Sequence, residues 1–181
     1  GPQTGGNTVV IDGTGFGGTV QVRLGQFQCT NVSVNAGLTQ ITCTSGGETS
    51  EGDFDVEVTS STHGQAVLAL GYHFNRRPLV LQVTPNNGPL AGGTPIVIDG
   101  QDFGGTVNVT LDGLPCTNVS VTAGLDQISC LTPAASTGTG PKRLDVFSSA
   151  NGPASLLNAF TYNPTPTITT VVPSNGPEQG G

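Results

Sequence analysis

The chain is written twice over, and that duplication limits its fold more than any other feature. The phrase GPQTGG stands at residue 1, GPLAGG at 88 and GPEQGG at 176, a period of 87 to 88 residues. Between residues 1–43 and 88–130, 27 of 43 positions are identical without a gap. One extra residue after Cys130 then aligns the HG of residue 63 with the NG of 151, and YHF at 72 with FTY at 160. Such a repeat is one structural unit laid down in series. The repeat frame is offset from the chain ends. Two extended, proline-punctuated segments, RPLVLQVTPNNGP from residue 77 and PTPTITTVVPSNGP from 164, precede the second and third phrases. Each reads as the opening strand of a unit. Residues 77–163 are therefore expected to be one complete unit, 1–76 a unit lacking its opening strand, and 164–181 the opening strand of a third. On this reading the 181 residues are an excerpt from a longer array.

Composition points to strands. Charged residues are only 9% and aromatics 5%, with 28 glycines and 13 prolines, and the usual helix formers are scarce. In the first copy short strands are expected at 8–12, 19–24, 29–34, 39–44, 54–59 and 67–74. With the opening strand this makes about seven in under 90 residues, the pattern of a β-sandwich. The stretch VVIDGTGFGGTVQV also fits the G-x-G-x-x-G form of a dinucleotide loop. Such a loop must open a helix, yet TVQVRL follows with strand alternation. The second copy moreover replaces Gly15 by Asp102. The glycines are read as a tight turn over Phe16 and Phe103, with Asp12 and Asp99 shaping it through side-chain to backbone bonds.

These residues resemble a known family. The ordered set P-x-x-G-P-x-x-G-G-T, the G-x-x-F-G turn, the I-x-C-x-x-P stretch and the closing aromatic pair are similar to the IPT/TIG domain. The resemblance covers nearly the whole chain; the first copy departs from it in TCTSGG, which lacks the proline found at Pro133. It implies an all-β fold of tandem immunoglobulin-like β-sandwiches. It implies function less directly, since such domains occur in cell-surface receptors, bacterial adhesins, secreted enzymes and some transcription factors.

Four cysteines form two equivalent pairs, Cys29 with Cys43 and Cys116 with Cys130, flanking a hairpin whose three-residue loop ends at Gly37 or Gly124. That loop suits a type I turn with a G1 bulge. Strand parity places Val32 and Val34 on the face away from Cys29, so a bulge or a bridge between sheets must reconcile the pair. Two intradomain disulfides are expected, each contributing about 3 kcal/mol, with buried free thiols as the alternative. Disulfides imply an extracellular or cell-surface location.

The remaining candidates are few. Asn31, Asn108 and Asn118 head N-x-S/T sequons and are expected to face solvent as candidate N-glycosylation sites. Glu51, Asp53, Asp55 and Glu57 alternate along one strand, but Lys142 and Arg143 stand in the second copy. A repeated metal site is thereby excluded, and a solvated face is expected, with an acidic–basic contact between repeats as the lesser reading. His63 and His73 have no counterparts, no serine lies in a nucleophile motif, and tryptophan is absent. No catalytic group, metal or cofactor is expected. A net charge of −7 with five Lys and Arg argues against nucleic acid, and no apolar run reaches membrane-spanning length. The expected function is a non-catalytic structural repeat, a stiff shaft of an extracellular surface or filament protein. Its partners would be neighbouring copies, in cis or end to end. The alternative is a ligand-binding ectodomain of an adhesin or receptor, with the divergent segments 44–57 and 131–145 recognising protein or glycan.

Overall fold

A computed structural model describes residues 1–176 and Glu178. No helix occurs among them. In the first copy the strands are β1 (Thr8–Asp12), β2 (Val20–Leu24), β3 (Phe27–Gln28), β4 (Thr30–Val34), β5 (Gln40–Thr44), β6 (Gly52–Ser60) and β7 (Gly64–Phe74). They form a three-stranded sheet, β1-β5-β4, and a four-stranded sheet, β3-β2-β6-β7. In the second copy follow β8 (Leu79–Thr84), β9 (Asn87–Pro89), β10 (Pro95–Gln101), β11 (Val107–Leu111), β12 (Leu114–Pro115), β13 (Thr117–Val121), β14 (Gln127–Leu131), β15 (Gly140–Ser148) and β16 (Gly152–Asn163). Their sheets run β13-β14-β10-β8 and β12-β11-β15-β16-β9. Each copy is thus a two-layer sandwich in which alternate side chains turn inward.

Alternation places the cores. Val22, Leu24, Ile41, Val56, Val58 and Phe74 are buried in the first sandwich. Their counterparts Val109, Leu111, Ile128, Leu144, Val146 and Tyr162 are buried in the second. The glycine turn closes one end of each. Phe16 and Phe103 lie beneath it, buried, and their N–H groups donate to the carbonyls of Leu38 and Leu125. Gly15 has φ +76° and Asp102, its counterpart, φ +61°, so the turn keeps its left-handed residue although only one copy spells it with glycine. The turn leads into a strand, β2 or β11.

The two sandwiches differ at one edge. In the second, the opening strand β8 pairs antiparallel with β10, from Val97 opposite Thr84 to Gln101 opposite Leu79, and also packs on β16. β9 adds a parallel pairing, Asn163 opposite Pro89. The first sandwich retains only the counterpart of β9, a parallel bridge between Pro2 and Asn75. No strand lies on the outer side of β1 among the described residues. The cost is visible in burial. Ile96 and Ile98 are fully enclosed, whereas the matching Val9 and Ile11 are only half-buried. Leu156 packs against the second core, whereas its counterpart Leu68 is 63% exposed.

The hairpin loop departs from the sequence expectation. Its left-handed residue is Leu38 (φ +55°) or Leu125 (φ +58°), one position beyond the glycine. In both copies the leucine N–H closes a turn onto the carbonyl three residues back, Asn35 or Thr122; the Asn35 side-chain oxygen also accepts the N–H groups of Thr39 and Gln40 at 2.9 and 3.1 Å, while the Thr122 hydroxyl donates to Asp126. Strand pairing resumes only at Gln40 or Gln127, so the loop has five residues instead of three.

Candidate functional site: the junction and the cysteine pairs

Between the sandwiches the chain runs through Asn75, Arg76, Arg77 and a buried Pro78. Two amide contacts hold this link. Asn75 Nδ2 donates to the Ala150 carbonyl at 2.8 Å, and Asn151 Nδ2 donates back to the Arg76 carbonyl at 2.9 Å. Arg76 lies between a carboxylate of each sandwich, Glu51 at 3.8 Å and Asp102 at 3.7 Å. Pro2 and Thr4 of the first sandwich meet Gly152 of the second. Around Arg76 lies a cleft of about 510 Å³, lined in part by His73, Leu125 and Asn151. The exposed ion pairs contribute little by themselves. The two amides are directed from opposite sides of the link onto backbone carbonyls.

Of these junction residues only Glu51 was among the sequence candidates. The contacts join positions 75 apart in the chain, which no local pattern reveals. The only signal was the pair Arg76–Arg77 next to Pro78, two of the chain's five Lys and Arg.

The cysteines sit where the chain changes sheets. Cys29 N–H still donates to Val22 of β2, while the next residue, Thr30, pairs with Thr44 of β5. Cys43 lies on the inner face of β5. A register shift between Thr30 and Ser33, with Asn31 at φ +51°, resolves the parity conflict, and Asn118 (φ +55°) repeats it in the second copy. The expected bridges are not formed in this structure: all four are buried free thiols. Within each pair the thiols are hydrogen-bonded partners. Burial first, and the Cys43 thiol second, push the Cys29 thiol up to about 12. The hydrogen bond to Cys116, followed by burial, holds Cys130 well above the ordinary thiol range. Burial raises Cys43 as well, whereas the hydrogen bond to Cys130 lowers Cys116.

The other candidates lie apart. Asn31, Asn108 and Asn118 are exposed. Glu51, Asp53 and Asp55 lie exposed along β6 and its approach, with Glu57 half-buried. Asp53 meets His73 Nδ1 at 2.8 Å, and Asp55 accepts the N–H of left-handed Leu70 at 2.9 Å. Lys142 and Arg143 pair within their own sandwich, with Asp112 and Asp145. Acidic–basic contact between the sandwiches thus runs through Arg76 instead. Among the described residues no group of three or more His, Cys, Asp or Glu is placed to hold a metal ion. Asp12 and Asp99 act differently from expectation: they accept glutamine amides rather than backbone N–H groups. Gln40 reaches Asp12 at 2.8 Å, and Gln127 and Gln82 each reach Asp99 at 2.7 Å.

Two antiparallel layers, a strand that crosses between sheets at a cysteine and an edge strand that opens the unit define an immunoglobulin-like sandwich repeated in tandem. The chain belongs to the IPT/TIG domain family: the family model for the IPT/TIG domain matches residues 1–74 and again 78–162. Human fibrocystin-L is 31% identical over 173 residues, covering 93% of this chain and 4% of fibrocystin-L. Plexin-2 of Caenorhabditis elegans is 28% identical over 188 residues, covering the whole chain and 10% of plexin-2. The structure of the plexin A4 extracellular region, domains 1 to 10, superposes with a TM-score of 0.59 at 23% identity, over 96% of this chain and 15% of that one. The chain therefore spans a small fraction of the relatives it matches. The expected extracellular or cell-surface location agrees with these relatives.

Proposed function

We propose that the two sandwiches are non-catalytic connecting modules of a cell-surface ectodomain, holding a recognition surface at a set distance and angle. The carrying observation is the junction, where Asn75 and Asn151 bond reciprocally across the link and Arg76 spans a carboxylate on either side. A freely jointed tether needs no such pairing. Of the two divergent segments, the one in the first sandwich is partly used at this junction through Glu51. The corresponding loop of the second sandwich stays exposed at 136–139, where Thr137 bonds Asp112 and Lys142. That loop is the candidate surface for a protein or glycan ligand. A longer run of such units would form a shaft by the same geometry, and neighbouring repeats are then the partners in cis.

In an oxidising compartment each thiol pair closes as a disulfide between the sheets, Cys29 with Cys43 and Cys116 with Cys130. The mutual hydrogen bonding of the thiols supports this pairing. Asn31, Asn108 and Asn118 are open to glycosylation in a host that performs it. Distances between spin labels on the two sandwiches test the proposal. A narrow distribution is expected, broadened by N75A combined with N151A. A broad distribution in the unsubstituted chain contradicts it.

A further inference from the structure

The two sandwiches differ in chemistry on the outer face of one sheet. In the first, β2, β6 and β7 present the row Gln21, Thr59 and Gln65 across adjacent strands, all polar and all exposed. At the same register of the second, β11, β15 and β16 present Asn108, Phe147 and Pro153, again all exposed. Two residues along β11 from Asn108, Thr110 stands where the first sandwich has Arg23 and completes the sequon Asn108-Val109-Thr110. A single exposed phenylalanine is ordinary on a protein surface. Here a ring that is 51% exposed stands in one patch with a proline and a glycan acceptor, and the matching patch of the first sandwich has none of the three.

We propose that Asn108 carries an N-linked glycan whose first sugar lies on Phe147, a step that rests on the reading that the exposed sequons are open to glycosylation. In the covalent step Asn108 Nδ2 attacks the anomeric carbon of a lipid-pyrophosphate-linked oligosaccharide supplied by the host. A C–N bond forms, the C–O bond to phosphate breaks, the amide gives up one proton and the lipid pyrophosphate leaves. Asn108 and Phe147 are direct partners across an antiparallel pair, which sets their β-carbons about 5 Å apart. The sugar therefore leaves Asn108 alongside the ring. The C–H groups on one face of a pyranose are weakly positive and meet the negative face of the phenyl ring. Pro153, the partner of Phe147 on its other side, extends the shelf. The other two sequons are built differently. Asn31 and Asn118 are left-handed residues (φ +51° and +55°) inside a bulge, with no cross-strand partner. In the folded chain Asn31 Nδ2 donates to Thr44 Oγ1 at 3.3 Å. A sugar at either site has no aromatic ring paired opposite it.

The test uses the full chain made in a secretory host that N-glycosylates, trimmed to one sugar per site, alongside N108Q, F147T and the double variant. Glutamine and threonine are what the first sandwich carries at these two positions, so both suit an exposed strand face. Glycopeptide mapping should find Asn108 occupied. Ring-current shifts should move the protons of its sugar upfield in the unsubstituted chain and not in F147T. The unfolding equilibrium of the second sandwich, read by hydrogen exchange of β11 and β15, should rise about fivefold with N108Q while Phe147 is present. With F147T already in place, N108Q should change it no further. Bare asparagines in all three sequons overturn the glycosylation reading and this inference together. A bare Asn108 beside an occupied Asn31 or Asn118 overturns this inference alone. A sugar on Asn108 without a ring-current shift, or an equal effect of N108Q with and without F147T, overturns it as well.

Discussion

Individual residues carry the repeat's logic more faithfully than residue types do. Ser60 and Ser148 are buried at the ends of β6 and β15, and each hydroxyl donates to the carbonyl of the glycine turn, Gly17 or Gly104, while accepting a turn N–H, that of His63 or Asn151. Ser148→Ala would leave that carbonyl and that N–H unpaired and is expected to cost about 1–3 kcal/mol, measured by denaturant unfolding. Tyr162 OH donates to the carbonyl of Pro133. In the first copy the donor is absent, Phe74 replacing the tyrosine, and Gly46 stands in place of the proline. Tyr162→Phe should cost about 1 kcal/mol. The left-handed leucine predicts the opposite sign: Leu38→Gly relieves backbone strain on an exposed side chain and should stabilise by about 1 kcal/mol. For three of the reduced cysteines, Cys29, Cys43 and Cys130, the folded thiol values are raised. The stability they contribute is complete below the usual 9.0 and is lost as pH climbs toward about 12. Reduced protein should weaken through that alkaline window, and protein with both pairs oxidised should not lose this contribution.

At the scale of strands, much was legible and the remainder was hidden for definable reasons. Val20, Val22 and Leu24 alternate with polar residues and form β2; the expected strands at 8–12, 29–34 and 67–74 fall on or within a few residues of β1, β4 and β7. The two-residue strands β3 and β12 were not legible because so short a run carries no alternation. The cysteine parity conflict was legible as a problem, but its solution required the bulge at Asn31. The junction was invisible because its amides contact residues 75 positions away. β8 also depends on Asp99, whose carboxyl is held below the usual value by the amides of Gln127 and Gln82. Its contribution is present above 3.8 and fades as pH falls through the lower folded value, so acidification should loosen β8 from β10. Val80→Ala should destabilise the second sandwich by about 2 kcal/mol, whereas Ile168→Ala in a dilute monomer should change nothing measurable.

At the scale of the whole molecule, the two sandwiches share one design, and among the described residues only the second carries a strand on the outer side of β10, the counterpart of β1. Each has its own core, and the junction between them is polar. The cores should therefore unfold in two steps, the first sandwich ahead of the second, because Val9, Ile11 and Leu68 lack the cover that β8 gives their counterparts. Amide hydrogen exchange on dilute, monomeric protein, compared position by position between β1 and β10, addresses this most directly. The account predicts that Val10 and Asp12, whose N–H groups face the open side of β1, exchange orders of magnitude faster than Val97 and Asp99, which face β8, while Ile11 and Ile98, bonded inward, and β5 and β14 stay protected in both sandwiches. Equal protection of the two edges would contradict it.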